Sequence, residues 1–112
     1  MKKTSRVVIT GLGAVTPLGN EVDTTWLRIK NGESGAGVIT RFEHNEEFPT
    51  RIACEVKDFD PLNFLEKKEA RRFDRFTQYA LKAADEAIAY AGLEDGSGFV
   101  KPERFGVIFG VV

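Results

Sequence analysis

An α/β fold organised around a parallel sheet is the class this sequence predicts, and three observations predict it. Arg6–Thr10 (RVVIT) is a short β-branched run ended by Gly11, Phe105–Val112 (FGVIFGVV) is a second apolar run, and between them Thr77–Ala91 is alanine-rich with helical period. A strand, a helical excursion and a second apolar strand make a β/α unit. Such a sheet needs more strands and covering helices than this pattern supplies, so residues 1–112 are expected to be one partial domain.

Taken in order, Arg6–Thr10 is predicted as a buried strand, and Gly11–Asn20 (GLGAVTPLGN), with three glycines and a proline, as the loop that leaves its carboxyl end. Asn20 is placed to cap a helix that has Asp23 in its first turn. Val22, Trp26 and Ile29 fall at helical spacing before the stop at Gly32. Residues 33–49 show no sustained period and are predicted as irregular surface. Ile52, Cys54 and Val56 alternate with Arg51, Ala53 and Glu55, the period of a half-buried strand with Cys54 on its apolar face. Asp60 followed by Pro61 is an N-cap with proline at the first helical position, and a helical stretch is expected from there to about Phe76. In the next helix Leu81, Ala84, Ile88 and Ala91 form one stripe, closed by Gly92 as a left-handed stop, and its small residues predict close packing against a sheet. A loop of Gly, Ser and Pro then leads to Phe105.

The composition, 42% hydrophobic and 29% charged, is that of an ordinary globular chain and excludes disordered and collagen-like classes. With 16 basic against 17 acidic residues the net charge is −1, which gives no reason to expect nucleic acid or an anionic membrane as partner. Met1–Arg6 is basic and an apolar run follows, as in a secretory signal, but Gly11, Gly13 and Pro17 break that run and no small-residue cleavage site follows. No export signal and no spanning helix are expected. The single cysteine forms no internal disulfide, which fits a reducing, cytoplasmic setting.

Four motifs carry chemistry in principle. Gly11-Leu12-Gly13 after a strand resembles the start of a dinucleotide-binding turn, but the third glycine position is Thr16, and no acidic residue ends a second strand at the required distance. A tight turn is the better description. Cys54 is a candidate nucleophile, set against its place on the apolar face of a strand, where a thiol serves as a small hydrophobe. His44, between Glu43 and Asn45, has no second histidine and so makes neither an ordinary metal site nor an acid/base pair. Within Lys67–Arg75 (KKEARRFDR), Lys68, Arg71, Arg72 and Arg75 are spaced i, i+3, i+4, i+7 and lie along one face of a helix. Like charges at that spacing cost about 0.2–0.5 kcal/mol per pair, so helix stability does not explain them. Two explanations stay open at this point: an anionic partner, or a solvated face partly offset by Glu69 and Asp74.

The segment VVITGLGAVTPLGN (7–20), Trp26, NGESG (31–35), IACEVKDFD (52–60), KEARRFDRFTQYAL (68–81) and GVIFG (106–110) together resemble the amino-terminal part of β-ketoacyl-acyl carrier protein synthases, the elongating condensing enzymes of the thiolase-like superfamily. The resemblance covers essentially the whole chain and is closest to the synthase II type. It implies a thiolase-like α-β-α-β-α fold, incomplete in this chain, a homodimer, and decarboxylative condensation of an acyl chain with malonyl-acyl carrier protein. It implies a cysteine nucleophile and two histidines as well, all three beyond Val112. Cys54 and His44 match none of their motifs, so no catalytic residue is expected here, and neither a cofactor nor a metal.

What the resemblance carries onto this chain is carrier-protein recognition, at Lys68, Arg71 and Arg72. These match basic positions that contact the acidic carrier protein in its acyl and malonyl forms. Arg75 belongs to the stripe but not to the matched positions. After GVIFG the family has a glycine-rich turn whose isoleucine lines the acyl pocket; here Gly110 is followed by Val111 and Val112, so acyl-chain selectivity is not expected to be readable, and the chain is expected to be a truncated piece. Two alternatives accompany the synthase: a polyketide subunit of the chain-length-factor type, and a non-catalytic module that binds a carrier protein through the basic helix.

Overall fold

Helices form where the sequence supplies both an apolar period and a stop. The structure, a computed structural model, describes residues 2–94, 96 and 101–111. Helix α1 spans Val22–Lys30, with Asp23 in the first turn and Arg28 and Lys30 in the last, each sign set against the opposite pole of the helix dipole. It ends in a Schellman turn. Gly32, at φ +71°, donates to the Ile29 carbonyl at 3.0 Å, and Glu33 donates to Arg28 at 3.0 Å. Helix α3, Arg75–Tyr90, closes in the same way, with Gly92 donating to Ala89 and Leu93 to Ile88.

Between these helices the expected single stretch from Asp60 to Phe76 is broken into two pieces. Asp60 does cap, its carboxylate accepting from the Leu62 amide at 2.9 Å, but it opens only a 3₁₀ turn over Pro61–Asn63. A new start follows at Glu66, whose amide donates to the Glu69 carboxylate at 3.4 Å, and helix α2 runs Lys67–Arg72. Phe73 and Asp74 then adopt extended backbone, at ψ 132° and 158°, which separates α2 from α3.

The strand expectations need correction. Arg6–Thr10 forms no strand, and Val7 is 93% exposed; residues 105–111 likewise carry no strand, and Ile108 is 97% exposed. Neither run finds a sheet neighbour among the described residues, and without the hydrogen bonds of a neighbour a β-branched run is not a strand. Met1, Val112 and part of the glycine- and serine-containing loop lie outside the described residues. The sheet that is present is antiparallel and two-stranded: β1, Gly37–Val38, pairs with β2, Ile52–Ala53, in the register Gly37 with Ala53 and Val38 with Ile52. Half of this ribbon falls in the region expected to be irregular.

The expected cap of α1 is also different. Asn20 turns away and donates through Nδ2 to the Lys57 and Asp58 carbonyls at 3.0 and 3.1 Å, while the first amide of α1, Val22, donates to Glu86 Oε1 at 2.8 Å. The same carboxylate accepts from the Ala14 amide through Oε2 at 2.9 Å. The α3 alanines are packed closely, but against this loop and not against the expected sheet. A Cβ on Gly11 or Gly13 would collide with the carbonyl oxygens of Ala87 or Ala83, so glycine alone lets the loop lie against the helix backbone.

Burial is sparse. Ile39 is the buried apolar side chain among the described residues, 8% exposed, and the radius of gyration is 18.0 Å. A compact domain of about 100 residues has roughly 13 Å, so the segment has the dimensions of a piece that shares its core with other chain. An apolar groove of about 800 Å³ runs between α3 and residues 107–111, lined by Val15, Phe76, Ala84, Ile88 and Phe109 among others.

Candidate functional site

Helix α2 is where the sequence-predicted site residues meet. Lys68, Arg71 and Arg72 are all exposed, and none of their side chains makes a hydrogen bond or ion pair with any described residue. Among the described residues the one ion pair is elsewhere, Arg28 Nε to Glu33 Oε2 at 2.6 Å. Arg71 and Arg72 sit in the last turn, where a helix dipole favours cations, whereas Lys67 and Lys68 crowd the first turn, where it opposes them. Dipole complementarity therefore accounts for at most part of the set. What remains is an exposed basic set that forms no ion pair among the described residues, although Glu69 on the same helix and Glu66 and Asp74 beside it offset part of its charge.

Arg75 departs from the stripe that the spacing predicted. It belongs to α3, past the break at Phe73 and Asp74, and its guanidinium is engaged: Nη1 donates to Gln78 Oε1 at 3.3 Å, and the group lies 5.7 Å from the centre of the Phe59 ring. Phe59 in turn meets Tyr79 edge-on at 4.8 Å and Phe64 at 5.8 Å. An aromatic floor thus sits under the junction of α2 and α3.

Sequence reasoning missed the residue that closes this junction. Gln78 is 6% exposed, and its Nε2 donates to the Ala70 carbonyl at 2.8 Å and the Phe73 carbonyl at 3.2 Å. Its signal was present, since Gln78 lies three residues before Leu81, a polar residue on the apolar stripe. Glu86, which joins α3 to the 14–22 loop, left no comparable sign, because its partners are 64 and 72 residues away in sequence.

Cys54 and His44 do not join the basic face. Cys54 is exposed, just past the end of β2, and is not directed into a core. It borders a shallow pocket with Arg41, Glu55 and Tyr79. There the Tyr79 hydroxyl, hydrogen-bonded to Arg41 at 3.2 Å, raises the arginine's pKa, and the Thr40 hydroxyl, donating at 2.8 Å, is the main cause that lowers the Glu55 carboxyl. His44 is 3.1 Å through Nε2 from the Ile39 carbonyl, a loop-holding contact. The described residues contain no cluster of His, Cys, Asp or Glu that would hold a metal. None of their helices is long and apolar enough to cross a membrane.

Comparison with known proteins converges on one family. The profile described as the β-ketoacyl synthase amino-terminal domain matches residues 4–112. The chain is 44% identical over 110 residues to a 3-oxoacyl-[acyl-carrier-protein] synthase 2 of Staphylococcus aureus (strain COL), covering 98% of this chain and 26% of that protein. It is 51% identical over 89 residues to the protein of the same name from Coxiella burnetii, covering 80% of this chain and 21% of the relative. With that of a Synechocystis strain it shares 43% over 105 residues, covering 94% and 24%. Among solved structures it resembles the ishigamide ketosynthase/chain length factor, with a TM-score of 0.70 and 37% identity, over 80% of this chain and 22% of that one. The chain spans about a quarter of the length of these curated relatives. On the profile match, the level of identity and the shared thiolase-like fold, it belongs to the β-ketoacyl synthase family, in the part occupied by the amino-terminal domain.

Proposed function

We propose that this chain is the amino-terminal part of a cytoplasmic, homodimeric 3-oxoacyl-[acyl carrier protein] synthase II, and that its own contribution to the reaction is to receive the acyl carrier protein on Lys68, Arg71 and Arg72. The observation that carries this proposal is the set of exposed basic side chains on α2 that make no ion pair or hydrogen bond among the described residues. In the reaction the acyl group passes from the carrier thiol to an enzyme cysteine, with release of that thiol. Malonyl-carrier protein then loses carbon dioxide, and the resulting carbanion attacks the acyl-enzyme, expelling the cysteine thiolate and forming the new carbon–carbon bond. The cysteine and the two assisting histidines belong to the portion of the family outside residues 1–112. Nothing on α2 takes part in bond making. Its role is to raise the local concentration of an acidic protein and to orient it.

The test is charge reversal in the intact synthase. Lys68→Glu with Arg71→Glu should raise the KM for carrier-protein substrates roughly tenfold or more, and leave acyl-pantetheine substrates, which lack the carrier, nearly unchanged. Equal loss with both substrate types would mean that these residues support the fold or the chemistry. A polyketide subunit of the ketosynthase/chain-length-factor kind is the second reading, with which the solved neighbour is compatible. It would share the same docking face, and absence of the nucleophilic cysteine from the intact protein would mark it as the chain-length partner.

A further inference from the structure

We propose that Gln78 is a positioning residue for carrier docking: its buried side-chain amide latches the end of α2 to α3 and thereby sets the direction in which Lys68, Arg71 and Arg72 project. This rests on the docking role proposed above for that face. The amide is used fully. Both Nε2 protons are donated, to Ala70 O at 2.8 Å and Phe73 O at 3.2 Å, and Oε1 accepts from Arg75 at 3.3 Å. The two carbonyls belong to the last turn and the cap of α2, positions that no intrahelical amide reaches. The network also fixes the orientation of the amide, because rotating it by half a turn would set its oxygen against two carbonyl oxygens and its NH₂ against a guanidinium.

Helix α2 has little else to hold it. It is six residues long, far below the length at which a helix is stable by itself, it has no buried residue, and extended backbone separates it from α3. Its backbone amides restart at Glu66, and its far end is gripped by a side chain that α3 itself carries. Gln78 is the buried polar side chain among the described residues, so the cost of desolvating it is met by these three bonds. Arg75 acts through it, holding Oε1 while lying over Phe59, which explains why a residue with the spacing of the basic stripe does not share its free surface.

The experiment compares Gln78→Leu, similar in size but without a donor, with Lys68→Glu/Arg71→Glu in the intact synthase. Amide hydrogen exchange and steady-state kinetics with carrier-bound and pantetheine-bound acyl groups are the two readouts. Gln78→Leu should speed exchange at residues 70–73 at least tenfold relative to residues 80–90. It should also raise KM for the acyl-carrier substrate several-fold, with kcat and the pantetheine kinetics unchanged. Gln78→Glu, which keeps a polar group of the same length but turns an oxygen toward the two carbonyls, should behave alike and serves if the leucine variant does not fold. Unchanged exchange at 70–73 overturns the latch; faster exchange with an unchanged carrier KM overturns the positioning role. If the charge reversal raises the carrier KM and Gln78→Leu does not, the docking face stands and this inference falls. If the charge reversal itself has no effect, the docking reading fails first and takes the positioning role with it.

Discussion

The loop at residues 11–22 and helix α2 make opposite use of polar groups. In the loop, Glu86 reaches from α3 to accept from both Ala14 and Val22, and Thr16 and Gly19 exchange backbone hydrogen bonds at 2.8 and 3.1 Å. Glycines let the chain touch the α3 backbone. On α2, three cations face solvent without a partner among the described residues, while the backbone beneath them is tied down by Gln78. The difference teaches how to separate residues that build this fold from residues that await a ligand. Builders such as Glu86 and Gln78 bond to backbone groups of the chain itself. Where charge is left open on a well-anchored element, its partner is to be sought outside the chain.

The largest loss of stability is expected at Gly13. An alanine there has no room against the Ala83 carbonyl, and backbone cannot yield as a side chain tip can, so Gly13→Ala should destabilise the intact protein by about 3 kcal/mol, the upper end for overpacking. Chemical denaturation would show it as a lowered midpoint. A change below about 0.5 kcal/mol would mean that the loop is not pressed onto α3.

A smaller effect is expected at Glu86. Replacing it with alanine leaves the Ala14 and Val22 amides, bonded at 2.9 and 2.8 Å, without their carboxylate, at a cost of about 2 kcal/mol. Thermal unfolding of Glu86→Ala measures this, and the catalytic response should be no more specific than the loss of stability. A carrier-specific rise in KM with full stability would put Glu86 on the wrong side of the comparison.

Features governed by near neighbours were legible in the sequence. The stops at Gly32 and Gly92, the Asp60–Pro61 cap, the extent of α1 and the exposure of Lys68, Arg71 and Arg72 each follow from residues within a turn or two of one another. Features that depend on distant partners were not. Arg6–Thr10 and residues 105–111 have the composition of buried strands, but strand formation is a pairing, and a run's own period does not encode its neighbour. For the same reason the alternation around Cys54 gave a strand that is longer than the one formed, since pairing stops at Ala53 and leaves Cys54 exposed beyond it. The break between α2 and α3 was expected after Phe76 and lies at Phe73 and Asp74, because every residue from 67 to 76 is compatible with a helix, and Gln78 rewards the break through contacts that no helical period describes.

The smallest expected change in stability accompanies the most direct test of the central claim, that α2 carries its charge for a partner and not for the fold. Lys68, Arg71 and Arg72 would be replaced together by glutamine, and the association rate with acyl carrier protein measured across ionic strength by stopped flow, alongside unfolding. Stability should stay within about 0.5 kcal/mol of the unaltered protein, as for surface sites with no internal partner. Association should slow about tenfold or more at low salt, and the steep salt dependence of the original should flatten. An unchanged association rate, with the same salt dependence in both proteins, would contradict that claim and leave the basic face as solvated surface.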